Sequence, residues 1–479
     1  MSKQKQTLFI AVEQGFASRY LLRTDIFKVL KNSGARIVIL TPNADEEYFV
    51  KEFKDDNVFI EPINLKAYKE YSRGKVQTFL HQVRWFVMNG NMDLHTVNMR
   101  YNIHKNIRKK GTLKRKIYNS FFDLCVFILR KSKMLRQLEI KLESRFFTPT
   151  IHAHLFKKYQ PDKFLITSIG YFGFDHYLMR EAKAHGAKII SVILSWDNTS
   201  SKGMPGAIVD HVIAWSETMK EELIGYLDVR PDKIFVGGIA YFDYHYRKEN
   251  FWAKDKLYSY FELNPDRKII FFAPKSPNKY PWNPDIVESI AKAIGEDRFV
   301  YPCQLLVRLH PLNFRVKDGN FRFKEDTYRH MALKEKYKHL YYDIPEILSK
   351  RLPMDMPSNE MFKISAILSN ADIMLSYFST MMLEASIFNL PIINVAFYAH
   401  NMYLDKKDLQ VIQSPHIRRI LETSNILTAY NIDELVDGVN AYLKNRELDA
   451  AGRKALWMKE CSYNAGYAGG EIGEFIFQL

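Results

Sequence analysis

The sequence predicts an α/β protein built from two Rossmann-like domains facing each other across a cleft, with a basic helical insertion in the first domain. Three observations carry that expectation. In both halves of the 479 residues, short unbroken apolar runs alternate with amphipathic stretches, the pattern of parallel strands buried on both faces and joined by crossover helices. The chain is too long for a single core and suits two or three domains. Between about Lys66 and Lys158 the alternation stops and the pattern turns helical, long and basic.

Thr7–Val12 (TLFIAV) reads as the first strand, Arg19–Asn32 as an amphipathic helix and Arg36–Leu40 (RIVIL) as the second strand. Together they form a βαβ unit opening a parallel sheet. After the helical stretch, strands are expected at Phe164–Thr167, Ala187–Leu194, Ala207–Ala214 and Ile234–Val236. Helices are expected over Tyr177–His185 and Ser216–Tyr226. The second half offers strands at Lys268–Ala273, Gln304–Arg308, Asp372–Ser376 and Pro391–Val395, with helices over Pro284–Ile294, Thr380–Phe388 and Asp433–Lys444. The connection Tyr246–Asp266 is charged and aromatic rather than Gly/Ser-rich, which predicts a helix there. The expected domains are residues 1–245, with the insertion at about 66–158, and residues 255–450. A helical tail, 451–479, is available to pack back on the first domain.

Hydrophobic residues at 47% and charged residues at 26% are ordinary for a folded protein. Cys125, Cys303 and Cys461 are far apart with no CxxC spacing, which argues against a disulfide framework or a cysteine-built zinc site and suits a reducing cytoplasm. The N-terminal apolar run is too short for a signal peptide. No stretch approaches the roughly 20 apolar residues of a spanning helix. The net charge of +15 is concentrated: Arg100–Arg145 holds fourteen Lys/Arg against three acids. Charge interleaved with Tyr118, Phe121, Phe122 and Phe127 suits the surface of an anionic membrane. A solvated basic face is the plainer alternative. Nucleic acid is not expected as a partner, because the stretch interrupts an α/β domain and matches no nucleic-acid module.

Ligands of parallel α/β sheets bind beyond the carboxyl ends of strands. Three such ends in the second half carry suitable groups: Lys275-Ser276 after KIIFFAP, Arg308 and His310-Pro311 in LLVRLHP, and Ser379-Thr380 after DIMLSYF. Ser379-Thr380 stands where a helix begins, a place for phosphate or a plain N-cap. Glu384 lies one turn further on, suited to ribose hydroxyls. In the first half the loop Ser195–Gly203 (SWDNTSSKG) brings Trp196, Asp197, Asn198 and Lys202 together after a strand. Asp197 is suited to general-base work or to shaping the turn. Glu13, after the first strand, is a rival base, and Arg19 or Arg23 can meet an anionic acceptor. There is no GxGxxG fingerprint, so a tightly held dinucleotide is not expected. His152 and His154 have no evident third metal ligand and read as a solvated helix or loop.

The runs SWDNTSSKG, AWSETMKEEL and PDKIFVGGIAYFD resemble the acceptor domains of bacterial surface-polysaccharide glycosyltransferases of the GT-B fold. FFAP, RLHP and ADIMLSYFSTMMLEA are similar to donor domains of that fold, including CDP-glycerol glycerophosphotransferases and sialyl- and Kdo-transferases. The resemblance covers Pro161–Tyr398 and the first βαβ unit, and it leaves the basic helical stretch without a counterpart. It implies that His310, Ser379 and Thr380 bind the donor's phosphates, that Glu384 lies near its sugar or ribose, and that the base is Asp197 or Glu13. It departs from the glycerophosphotransferase pattern at Lys275–Asn278 and in lacking their histidine-glycine loop. The expected activity is a metal-independent sugar transfer, with a nucleotide sugar as co-substrate and no cofactor. The expected acceptor is a glycan or lipid-linked glycan at the inner face of the cytoplasmic membrane. The alternatives are polyol-phosphate transfer, UDP-sugar 2-epimerisation, or a non-catalytic membrane-tethered role in glycan assembly.

Overall fold

A computed structural model of the chain describes residues 6–108, 112–317, 320–397 and 412–479. Lys109 and Lys110 of the basic stretch, and Tyr398, lie outside the described residues. The chain divides into two compact units. The first is Met1–Ala240 with Gln413–His416 and Tyr467–Leu479; the second is Tyr241–Ile412 with Ile417–Gly466.

The first unit is built on a seven-stranded parallel sheet: β1 (Thr7–Ala11), β2 (Arg36–Thr41), β3 (Val58–Pro62), β4 (Lys163–Ile166), β5 (Lys188–Val192), β6 (His211–Ala214) and β7 (Ile234–Val236). Their order is β3-β2-β1-β4-β5-β6-β7. Every side chain of β1 is buried, and Phe9 lies opposite both Val38 of β2 and Phe164 of β4. That double burial is why the strand reads as an unbroken apolar run. The crossovers are α1 (Gly15–Ala17), α2 (Asp25–Asn32), α3 (Glu47–Phe53), then α10 (Asp175–Ala184), α11 (Asn198–Ser201) and α12 (Glu217–Leu227). Between β3 and β4 lies the helical insertion: α4 (Leu65–Tyr71), α5 (Lys75–Phe86), α6 (His95–Arg108), α7 (Leu113–Lys131), α8 (Lys133–Phe146) and α9 (Ala153–Tyr159).

The helix Ala468–Gln478 closes this unit by packing on α2. A Cβ on Gly473 would stand 2.7 Å from the Val29 Cβ, so glycine sets the approach of the two helices. Lys163 Nζ donates to the carbonyls of Ile476 (2.9 Å) and Phe477 (2.7 Å), satisfying acceptors that a helix end leaves open. The insertion is fastened by buried charge. Glu143 of α8 accepts from Arg84 of α5 and from Arg180 of α10, and Arg136 holds Asp228 through two bonds of 2.6 and 3.0 Å.

The second unit repeats the architecture with β8 (Lys268–Ala273), β9 (Cys303–Arg308), β12 (Leu340–Asp343), β13 (Ile373–Ser376), β14 (Ile392–Val395) and β15 (Leu427–Ala429). Their order is β12-β9-β8-β13-β14-β15, all parallel. A small antiparallel pair, β10 (Val316–Lys317) and β11 (Asn320–Phe321), stands apart. The principal helices are α13 (Lys254–Phe261), α14 (Asn283–Gly295), α15 (Lys324–Lys336), α16 (Ser358–Asn370) and α17 (Thr380–Ile387), followed by Pro415–Ser424, Ile432–Lys444 and Ala450–Glu460. Ile270, Phe272, Leu305, Val307, Ile373 and Leu375 form the centre of its core.

Three expectations are corrected. The strand expected over Ala207–Ala214 begins only at His211, because the preceding segment turns at Gly206. A Cβ there would stand 2.3 Å from the Gly170 carbonyl oxygen. The connection expected as one helix holds a short turn at Lys248–Asn250 and then α13, since Trp252 leaves the path to donate to Asn359 Oδ1 at 3.0 Å. His152 is buried, not solvated: its Nε2 accepts from the Asn64 backbone N–H at 3.1 Å, and its Nδ1 pairs with Tyr68 Oη at 2.9 Å. Tyr68 in turn donates to Glu181 Oε2 at 2.9 Å. His154 of α9 is exposed.

Candidate functional site

In a doubly wound sheet the ligand crevice opens where strand order reverses, outside the carboxyl ends of the two strands concerned. The first sheet reverses between β1 and β4, the second between β8 and β13.

At the first reversal, the loop after β1 carries Glu13 and the loop after β4 runs into Asp175, the first residue of α10. Their carboxyl groups share a hydrogen bond. Burial, and then the adjacent Asp175 charge, push the Glu13 carboxyl well above the ordinary carboxylate range, because two carboxylates in contact cannot both ionise cheaply. Burial raises Asp175 as well, while bonds from Glu13 and Ser168 favour its ionised form. The proton of the pair therefore resides chiefly on Glu13. Ser168 Oγ donates to Asp175 and accepts the Gly170 N–H at 2.9 Å, which fixes the β4 loop around the pair. Two buried polar atoms here lack hydrogen-bond partners among the described residues: Glu13 Oε1 and Tyr171 Oη. Such orphans are what a polar ligand would satisfy.

Asp197 sits at the start of α11, after β5. Its Oδ1 accepts from Ser195 Oγ at 2.6 Å and its Oδ2 from Ser201 Oγ at 3.3 Å, with Lys202 Nζ 3.8 Å away. Burial alone would raise its proton affinity, but Lys202, His416, Ser195 and Arg100 outweigh it and hold the carboxyl below its usual range. Asp197 is thus a fixed anion and a weak base. Trp196 and Asn198 are buried, Trp196 edge-on against His416 with ring centres 4.9 Å apart. The Lys202 ammonium also lies 5.7 Å from the Phe172 ring centre. Arg19 is buried in the π-helical turn Ser18–Leu22, its guanidinium over Phe16 at 4.7 Å.

At the second reversal, β8 ends at Ala273 and leads to Lys275 and Ser276; β13 ends at Ser376 and leads to Ser379 and Thr380. Ser379 is the N-cap of α17, yet its side chain makes no capping bond; its Oγ pairs with Ser376 Oγ at 3.0 Å. The cap hydroxyl is therefore diverted from the helix N–H groups, which suits an incoming anion. Lys275 lies with its ammonium 5.4 Å from the Tyr280 ring centre, and Ser276 is bonded to Asn278. Beyond the end of the adjacent strand β9, His310 Nδ1 accepts the Leu312 N–H at 3.1 Å, which puts the ring proton on Nε2. Burial, with Arg308 nearby, pushes the imidazole down to about 4, so it is neutral at pH 7 and donates through Nε2.

Three candidates have partners inside the protein. Arg23 is clamped by Glu52 (2.7 and 2.8 Å) and bonds Ser18 Oγ at 2.9 Å, so it ties the end of the π-turn to α3 and is not open to an acceptor. Arg308 belongs to a buried four-charge cluster with Asp343, Glu360 and Lys363, in which Glu360 lies 2.7 Å from Arg308 and Lys363 lies 2.7 Å from Asp343. Its charge is balanced by the two carboxylates. Glu384 faces inward, with Oε2 bonded to His245 Nε2 at 3.1 Å, and His245 Nδ1 in turn meets Ser365 Oγ at 2.8 Å. Sequence reading passed over Asp175, Ser168 and Tyr171. The one available signal was a strand, FLIT, followed by a glycine-bearing loop that ends in an acid at a helix start.

No family model matches the chain, and no curated protein matches its sequence. Among solved structures, UDP-GlcNAc 2-epimerase from Neisseria meningitidis bound to UDP-GlcNAc superposes with a TM-score of 0.53 at 11% identity, over 99% of this chain and 100% of that one. A putative UDP-N-acetylglucosamine 2-epimerase from Listeria monocytogenes gives 0.53 at 10% identity, over 99% and 98%. The S. aureus MnaA-UDP co-structure gives 0.53 at 10% identity, also over 99% and 98%. At such identities what is shared is architecture, and the chain has the two-Rossmann-domain α/β fold of the GT-B class.

Proposed function

We propose that the chain is a nucleotide-sugar-dependent glycosyltransferase. The observation that carries this reading is the proton-sharing pair Glu13–Asp175 at the strand-order reversal of the first unit. A general base is served by a carboxyl group whose proton affinity is raised above the ordinary range, and a binding module has less use for one. The donor's phosphates would take the reversal of the second unit, with the start of α17, Lys275 and His310 Nε2 as their partners. Two of the similar folds were solved with UDP-GlcNAc or UDP, which supports a nucleotide-bearing ligand.

In the reaction, the ionised Glu13 takes the proton of an acceptor hydroxyl as that oxygen bonds to the anomeric carbon. The bond from that carbon to the phosphate oxygen breaks, and the electron pair leaves with the nucleotide. His310 Nε2–H and the N–H groups of α17 stabilise the charge that builds on the leaving phosphate. The form of the pair with both carboxyls ionised is the active one, so kcat/KM falls as pH drops and Glu13 gains its proton.

The test is the pH profile of nucleotide release from a panel of UDP-, CDP- and GDP-sugars. The acid limb is expected well above the ordinary glutamate value of 4.5. Asp175→Asn removes the neighbouring charge and should move that limb to lower pH; an unmoved limb removes the pair from catalysis. Replacing His310 by Ala should weaken UDP by about 10–100-fold, the value of a hydrogen bond to a charged group, read as a lost thermal shift on UDP addition. An unchanged shift would take His310 out of the site. Epimerisation is the second reading, favoured by the 2-epimerases among the similar folds. A nucleotide sugar inverted at C2 without any acceptor would establish it in place of transfer.

A further inference from the structure

We propose that α6, α7 and α8 form a docking face for an anionic lipid bilayer. Helix α7 is apolar on two opposite sides. Phe122 and Val126 point into the unit and are fully buried. Leu113, Ile117, Phe121, Leu124 and Ile128 recur at three- to four-residue steps on the other side and are 42–75% exposed. A surface helix needs only one apolar stripe to pack on its own core; the second faces solvent, save that Phe121 stacks on Phe79 of α5 with ring centres 5.7 Å apart.

Helix α8 repeats the arrangement. Arg136, Ile140 and Glu143 are turned inward, while Met134, Leu138, Leu142 and Phe146 form an outward stripe at every fourth residue, 45–74% exposed. Ile103 and Ile107 extend the pattern onto α6. Half of the large hydrophobic side chains exposed among the described residues fall between Ile103 and Phe146. A concentration of that kind marks an interaction surface, not scattered surface residues.

Charge selects the occupant. Lys114, Lys116, Lys131, Lys133, Lys141 and Arg145 border or lie within the two stripes, and all are exposed. The three acids of the stretch are withdrawn: Asp123 pairs with Tyr101 and Lys105, Glu143 with Arg84 and Arg180, and Glu139 lies beside Glu143. The face thus presents hydrocarbon rimmed by cations with no exposed carboxylate. A second copy of the chain would bring the same positive charge against itself. A bilayer instead accepts the apolar stripes to the depth of its headgroups and matches the lysines with phosphates, their stems lying along the hydrocarbon. No helix among the described residues is long and apolar enough to cross a membrane, so the contact is one of lying on the surface. At its edge lies a cavity of about 440 Å³ lined by Asn98, Tyr101, Lys105, Asp123, Arg130 and Lys131, three cations to one carboxylate.

The test is flotation of the full chain, without any nucleotide sugar, on vesicles of phosphatidylcholine and of phosphatidylcholine mixed with phosphatidylglycerol. Binding is expected on the mixed vesicles only, weakened by salt. Because these side chains are exposed, the triple variant Ile117→Asp, Leu124→Asp, Leu138→Asp should fold as the parent does and lose vesicle binding. Lys114→Glu with Lys116→Glu should lower affinity at least about tenfold. The proposal is overturned if the parent stays unbound on mixed vesicles, or if the triple variant binds as well as the parent. It is equally overturned if the parent dimerises through this face and the triple variant is monomeric, with neither binding lipid. None of these outcomes bears on the carboxylate pair.

Discussion

Glu13→Gln is expected to lower turnover by about 10²–10⁴-fold, the usual worth of a positioned general base, while UDP still binds. The amide keeps the shape of the side chain and its contact with Asp175 but cannot take a proton. It also removes the cost of ionising a buried carboxyl beside Asp175, so the variant should melt no lower than the parent. Loss of activity with retained or raised thermal stability separates a catalytic role from a structural one. A variant with parental turnover would return the choice to Asp197 or end the transferase reading. Asp197→Asn supplies the contrast: its carboxyl is held ionised by Lys202 and His416 against the effect of burial, so its loss should disturb the Ser195–Lys202 loop without moving the acid limb.

The second large effect is on stability. Glu143 is buried and is the shared acceptor of Arg84 and Arg180, from helices on either side of it. Glu143→Ala leaves two guanidinium groups without their counter-charge, which costs about 3–5 kcal/mol and should lower the unfolding transition of the first unit in a calorimetric scan. Burial alone would raise the Glu143 carboxyl, but Arg84, a bond from Glu139, and Arg180 pull it down to about 2. Its folded value is therefore below the unfolded 4.5. The stability it contributes is present above pH 4.5 and is lost as pH falls toward 2. A calorimetric transition for the first unit that does not shift in Glu143→Ala would mean that the insertion is anchored by packing alone.

The buried strands were legible because both faces of a central parallel strand are covered. TLFIA, RIVIL and KIIFFA are unbroken apolar runs for that reason. Of the four edge strands only β7 was legible, at Ile234–Val236. In β3 (VFIEP) only Val58 is fully buried, in β12 (LYYD) only Leu340 and Asp343 are, and β15 is only three residues long. The placement of Lys275, His310 and Ser379 just beyond strand ends was visible, since those positions follow from local pattern. The Glu13–Asp175 pair was only half visible. The helical insertion separates its members in sequence, and they meet only because β4 returns beside β1. The internal partners of Arg23, Arg308 and Glu384 were not legible, because a charged residue near a strand end suits a ligand or an internal counter-ion equally well until its partner is known.

The helix Ala468–Gln478, whose Gly473 fits against Val29 and whose end carbonyls meet Lys163, belongs to the unit made from the start of the sequence. Synthesis runs from the N-terminal side, so this helix is made last. A ribosome releases β1–β7 and the whole second unit before it releases this helix, and until then α2 has an uncovered apolar side. The second unit can therefore be complete while the first still lacks a piece, the reverse of the usual N-terminal-first order.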